Sequence, residues 1–251
     1  MPIDRCTCRE KGQPLCMEQY YRLFTSYRLP GVDKDKLIDS FDSNGNVASE
    51  PEHIIVISLN QIFVLDVVVN FTRLSEDQLF HQLKRIKKQS EEDFDTPNAF
   101  ADVGFLTSLA RDQWAQARAE LVKDSTNRDC LDMVERCIFV ICLDKAVKNS
   151  KLKTMNSLCE EDATNSHIDE NKENHDASSA NNETDNFKSM THIAFQMLHG
   201  CNSQNNSGNR WFDKTMQFII SEDGICGLNY EHSPAEGIVV IELSEHLFRY
   251  M

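Results

Sequence analysis

Apolar side chains along this chain follow two different rhythms, and together they predict a sheet with helices packed against it. His53 to Leu59 and Gln61 to Val69 are short runs rich in Ile and Val on either side of Asn60. Their length and scarcity of polar alternation predict strands of a buried sheet. Thr215 to Ser221 alternates polar and apolar positions before turning apolar, Asp223-Gly224 supplies a tight turn, and Ile225 to Tyr230 offers a return strand. That order predicts a β-hairpin.

Elsewhere the period is helical. Cys16 to Phe24 predicts a helix that ends before Leu29-Pro30-Gly31. Ser75-Glu76-Asp77-Gln78 has the form of a capping box ahead of Leu79, Leu83 and Ile86, on a helix running towards Glu91. Another helix starts near Arg111 and continues to about Val122. Leu131, Val134, Ile138 and Ile141 fall on one face of a further helix, a stretch that would also hold Cys137 and Cys142. The helix through Ile193, Met197 and Leu198 stops at Gly200. Val240, Leu243, Leu247 and Met251 predict a last helix from Glu236, although the β-branched run Ile238 to Ile241 would also suit a strand.

Two stretches lack either rhythm. Residues 1–15 mix charges, cysteines and Pro14 and are expected to be irregular. Residues 148–186 are dominated by Asn, Ser, Asp and Glu, and from Asp162 to Asn186 Ile168 is the lone large aliphatic. So little apolar area cannot offset the entropy of ordering, which predicts a disordered acidic insertion. The chain thus divides into 1–15, an ordered body over 16–147, the insertion over 148–186, and a closing segment over 187–251.

At 251 residues, 40% hydrophobic and 26% charged, the chain has the make-up of a globular domain. A formal net charge of -14 argues against nucleic acid or an anionic membrane surface as partner and is compatible with drawing in a small cation. No apolar run approaches the ~18 residues of a membrane span, and Met1 to Glu10 carries no hydrophobic signal region. Nine cysteines include Cys6-x-Cys8 but no C-x-x-C pair, which predicts neither a disulfide framework nor a zinc site and points to a reduced, cytoplasmic chain.

The hairpin delivers His232 at a strand end. After it, Ser233-Pro234-Ala235-Glu236 has the form of a capping box, with Ser233 as N-cap and Pro234 at the first helical position. The positive end of that helix would disfavour imidazolium by about 0.3 to 1 kcal/mol and keep the ring neutral. A neutral imidazole can serve as general base, a role that contributes roughly 10² to 10⁴ in rate. Taken alone, a histidine in such a place is more often a satisfied surface residue.

It does not stand alone. Arg210-Trp211-x-Asp213-Lys214, the apolar strand, Asp223-Gly224 and Glu231-His232-x-x-x-Glu236-Gly237 together resemble the signature of the choline/carnitine acyltransferase family. The block from Gln13-Pro14-Leu15-Cys16-Met17 to Arg28-Leu29-Pro30-Gly31 is similar to the family too, and Val122 to Cys137 most resembles its choline-acetylating branch. The resemblance implies an α/β (α+β) fold with a chloramphenicol-acetyltransferase-like mixed sheet flanked by helices, the first of two related domains. It implies that His232 is the catalytic base, supported by Ser233 and Glu236, with Arg210 and Asp213 as an ion pair bracing the wall beside it. Acetyl-CoA would enter as co-substrate, with no metal and no permanently bound cofactor, and choline would be the acceptor. The groups that hold coenzyme A belong to a second half beyond Met251, so the 251-residue polypeptide by itself is expected to be inactive. The full-length relatives suggest a cytoplasmic, nerve-terminal monomer. Carnitine as acceptor is the nearest alternative, and a non-catalytic short product is the other.

Overall fold

The computed structural model describes residues 9–10, 12–14, 18–39, 51–94, 102–147 and 190–251. The acidic insertion over 148–186 lies outside the described residues. Within the N-terminal segment, β1 (Arg9–Glu10) pairs with β2 (Gln13–Pro14) in a two-residue antiparallel ladder. Then follow α1 (Glu18–Leu23), the small antiparallel pair β3 (Tyr27–Leu29) and β4 (Lys36–Ile38), β5 (His53–Ser58) and β6 (Gln61–Asp66). A second small pair, β7 (Val68–Val69) and β8 (Thr72–Arg73), leads into α2 (Glu76–Phe94). A 3₁₀ turn at Val103–Ser108, α3 (Arg111–Leu121), α4 (Ser125–Arg136) and β9 (Val140–Asp144) come next. The chain closes with α5 (190–199), a 3₁₀ turn at Ser207–Asn209, β10 (Met216–Ser221), β11 (Cys226–Tyr230) and α6 (Gly237–Tyr250).

Five strands form one mixed sheet in the order β11-β10-β9-β5-β6. The two hairpins are antiparallel, and β9 joins them by running parallel to both β5 and β10. All six residues of β5 are buried, as expected for an interior strand covered on both faces. β6, by contrast, is an edge strand that buries Gln61 and Leu65 and exposes Ile62 and Val64, so the expectation of burial holds for β5 and not for its partner. Ile55, Ile57, Val140, Cys142 and Ile219 face one side of the sheet, where Trp114 of α3, Leu131 and Val134 of α4 and Met197 of α5 pack on them. On the other side, Ile54 and Val56 meet Ile86 of α2, while Met216 packs with Leu23 of α1 and Val239 and Val240 of α6. The result is a mixed sheet between two helical layers.

Several local expectations are met by specific contacts. The Ser75 hydroxyl accepts from the Gln78 amide at 3.3 Å and the Gln78 side chain accepts from the Ser75 amide at 2.8 Å, a reciprocal capping box at the start of α2. Gly224, at φ +85°, turns the β10–β11 hairpin. Over Gly237–Tyr250 the β-branched run is helical, because Val239 and Val240 are buried on one face of α6 and that packing outweighs their strand preference.

Two expectations are corrected. Ile138 and Ile141 do not continue the helix of Leu131 and Val134: α4 stops at Arg136, Cys137 is extended, and Val140–Asp144 is the central strand of the sheet. Cys137 and Cys142 therefore do not belong to a helical stretch. The capping box at Ser233 does not form either. α6 begins at Gly237 with Glu236 at its N-cap, and the Glu236 side chain makes no cap hydrogen bond. No helix among the described residues is long and apolar enough to cross a membrane.

Candidate active site

The segment from Asn209 to Gly237 starts in the core and ends at the surface. The Asn209 side chain donates to the Leu143 carbonyl at 3.0 Å and accepts from the Asn60 amide at 2.7 Å, tying the end of β9 to the β5–β6 turn. Arg210 follows, fully buried, and its fork meets the Asp144 carboxylate through two bonds of 2.9 and 2.8 Å. Its remaining donors reach the carbonyls of Gln196, Met197 and Asn209 at 2.8, 3.1 and 3.2 Å. Burial pushes the Asp144 carboxyl up from its ordinary value, and the bidentate guanidinium opposes that rise.

The expected Arg210–Asp213 pair is absent, since the two side chains serve separate partners. Asp213 accepts from Trp114 Nε1 at 2.5 Å, Arg111 Nη1 at 2.6 Å and the Tyr27 hydroxyl at 3.3 Å. Burial raises its carboxyl above the usual range against the pull of these donors. Trp211 is buried edge-on to Trp114, with ring centroids 6.3 Å apart. Lys214 is buried as well, donating to the carbonyls of Glu135 at 2.9 Å and Thr25 at 3.3 Å, and burial lowers its pKa. These signature residues join β3, α3, α4 and α5 to the sheet.

β10 and β11 carry the chain outward from this anchor. The Glu231 amide donates to the Thr215 carbonyl at 2.9 Å, and the Thr215 hydroxyl donates to the Ser26 carbonyl at 2.9 Å. His232 comes next, with its side chain 63% exposed. Its ring lies 5.5 Å from that of Tyr230, and Nε2 is 3.8 Å from the Glu236 carboxylate. Ser233 does not cap a helix; its amide and hydroxyl both donate to the Glu231 carboxylate, at 3.0 and 2.9 Å. Pro234 and Ala235 are buried beneath this turn, and the Glu236 amide donates to Gln19 Oε1 at 2.7 Å.

The geometry brings His232, Ser233 and Glu236 together and leaves Arg210 and Asp213 behind in the core. Chemically, an accessible imidazole can take up a proton. Residues that sequence reasoning did not single out, Arg28, Asp35, Arg111 and Glu231, link the two regions. Arg28 pairs with Asp35 at 2.7 Å and Glu231 at 3.1 Å, while Arg111 pairs with Asp35 at 2.7 Å and Asp213 at 2.6 Å. Arg28 and Glu231 both lie within the family-like blocks, but nothing in their spacing reveals that they meet across 203 positions.

Burial opposes ionisation of Asp35, but the Gly31 amide and the Arg111 and Arg28 guanidinium groups outweigh it and hold its carboxyl below the ordinary value. A depressed folded pKa contributes stability above the unfolded value of about 3.9, and that contribution is lost as pH falls through the folded value. Asp35→Asn is therefore expected to destabilise the protein by about 1 to 3 kcal/mol at pH 7. In urea unfolding across pH, the gap from wild type should narrow as the medium is acidified below the unfolded value. A gap that is constant across pH would contradict this assignment.

The chain belongs to the choline/carnitine O-acyltransferase family, whose sequence profile matches residues 3–251. Among its relatives, the choline O-acetyltransferase of Danio rerio is 46% identical over 253 residues, covering 100% of this chain and 33% of the relative. That of Homo sapiens is 44% identical over 252 residues, covering 100% and 28%. The carnitine O-acetyltransferase of Rattus norvegicus is 38% identical over 240 residues, covering 95% and 32%. The chain thus spans between 28% and 33% of the length of these relatives.

Proposed function

We propose that this chain is part of a choline O-acetyltransferase, which moves the acetyl group of acetyl-CoA onto the hydroxyl of choline to make acetylcholine in the cytoplasm. The observation that carries the reading is the likeness to choline O-acetyltransferases, 44% and 46% over the whole chain against 38% to a carnitine O-acetyltransferase, with His232 exposed at the end of β11. His232 accepts the hydroxyl proton as the choline oxygen attacks the acetyl carbonyl. The tetrahedral intermediate then expels the thiolate of coenzyme A, which takes the proton back from the imidazolium. Because the thioester is already activated, no acyl-enzyme is required, and the protein's part is positioning and proton transfer. Glu236 lies beside the ring, 3.8 Å from Nε2.

The test compares acceptors in the full-length protein. With acetyl-CoA saturating, kcat/KM for choline is expected to exceed that for carnitine by at least about 10²-fold, the discrimination expected when a site must leave the carboxylate of the wrong acceptor unpaired. A preference for carnitine would overturn the acceptor assignment and leave the acyl-transfer reading in place.

A further inference from the structure

A histidine acting as base must be held to within about 0.5 Å of its productive position. Yet the His232 side chain is 63% exposed, and the Glu236 carboxylate beside it is 69% exposed. Besides the Tyr230 ring, 5.5 Å away, and Glu236, the ring's orientation depends on the backbone of its own turn. Glu231 clamps that turn: its two carboxylate oxygens accept from the Ser233 hydroxyl and amide, so the residues on either side of His232 are tied to each other.

Glu231 is itself braced from the core. Arg28 bonds Glu231 through Nη1 and Asp35 through Nε; Arg111 bonds the same Asp35 oxygen through its own Nε and Asp213 through Nη1. Asp213, 1% exposed, is fixed by Trp114 and Tyr27 at the end of this series. Each arginine fork is shared between two carboxylates, so each is constrained in two directions. Isolated surface pairs hold little, but the two inner carboxylates here, Asp35 and Glu231, are only 13% and 11% exposed. The backbone is shaped for the same link. A Cβ at Gly31 would lie 2.1 Å from the Lys34 carbonyl oxygen, so only glycine allows the tight bend that returns Asp35 to Arg28, where Asp35 also accepts from the Gly31 amide at 3.0 Å. The Arg28 amide donates to the Asp213 carbonyl at 2.9 Å, placing both ends of the strut on one frame.

We propose that Arg28 and Glu231 are positioning residues for His232: the strut Asp213–Arg111–Asp35–Arg28–Glu231 transmits the rigidity of the buried core to the turn that holds the imidazole. This rests on His232 being the base. Both act through the ring. Lysine at position 28 would have to make both bonds from one nitrogen, whereas Arg28 spans Asp35 and Glu231 with Nε and Nη1 held apart on a planar fork.

The experiment uses the full-length protein with Arg28→Met, Arg28→Lys, Glu231→Gln and the Arg28→Met/Glu231→Gln double variant, each also placed on a His232→Ala background. Arg28→Met and Arg28→Lys are each expected to lower kcat by about 10 to 100-fold, since an ångström of misplacement can cost that much. KM for both substrates should stay within about two-fold, and the double variant should be no slower than the worse single, as coupled residues of one network behave. On the His232→Ala background none of them should lower the residual rate further, because there is no ring left to position. Glu231→Gln, which keeps the size of the side chain, supplies the test if the Arg28 variants fail to fold. Wild-type kcat in these variants, full rescue by Arg28→Lys, or an undiminished further loss without His232 would overturn the strut while leaving the base in place. Wild-type turnover in His232→Ala itself would overturn the base assignment and the strut with it.

Discussion

Replacing Arg210 with methionine is expected to cost about 3 to 5 kcal/mol of folding stability, because it leaves the Asp144 carboxylate buried without its counter-charge. Arg210 is fully buried and holds Asp144 at 2.8 and 2.9 Å. After the substitution, Asp144 would keep, among the described residues, the Asn209 amide group at 3.3 Å as its side-chain donor. The carbonyls of Gln196 and Met197 near the end of α5, and of Asn209, would each lose a donor as well. The companion variant Arg210→Met/Asp144→Leu removes both charges and should recover much of the loss, since a buried pair is costly to break but not to replace. Urea unfolding of the three proteins checks this. A loss below about 1 kcal/mol for Arg210→Met would mean that the pair is not the anchor described here.

That anchor was only half legible in the sequence. Arg210-Trp211-x-Asp213-Lys214 is conspicuous as a string, and adjacency suggests that its own charges pair. In the fold Arg210 faces Asp144, Asp213 faces Arg111, and Lys214 faces backbone carbonyls. Partners 66 and 102 positions away cannot be found from local spacing. The β10–β11 hairpin and β5 were readable because a turn signal or an unbroken apolar run is a local property. β9 was hidden because Ile138 and Ile141 continue the helical spacing of Leu131 and Val134, and neither Gly nor Pro marks the break at Cys137. Tertiary pairing between β5 and β10 makes it a strand.

The Ser233 capping box failed for a related reason. A capping box needs the Ser233 hydroxyl to accept from the Glu236 amide, but that amide donates to Gln19 Oε1, 217 positions away in the chain, at 2.7 Å. Burial of Pro234 and Ala235 then delays the helix to Gly237. The Ser233 hydroxyl and amide instead donate to Glu231 and form the clamp around His232. The acidic excess of the chain shows its effect locally at this point, where three carboxylates and two guanidinium groups make up the strut.

His232 is the second position where a single change should have a large effect, and it differs from Arg210 in kind. Its ring is exposed and lies 5.5 Å from that of Tyr230, and no buried group among the described residues bonds to it. Truncation there should alter stability by no more than about 0.5 kcal/mol. Its loss should fall on the chemical step, by about 10² to 10⁴-fold, the range for a general base. The measurement that tests the account most directly is therefore kcat for acetyl transfer from acetyl-CoA to choline by the full-length protein and its His232→Ala variant, with thermal unfolding of both. The account predicts a kcat lower by at least about 10²-fold with KM for acetyl-CoA within about two-fold and an unchanged melting midpoint. Turnover by the variant within about two-fold of wild type would contradict it, because the histidine at the end of β11 would then not be the base.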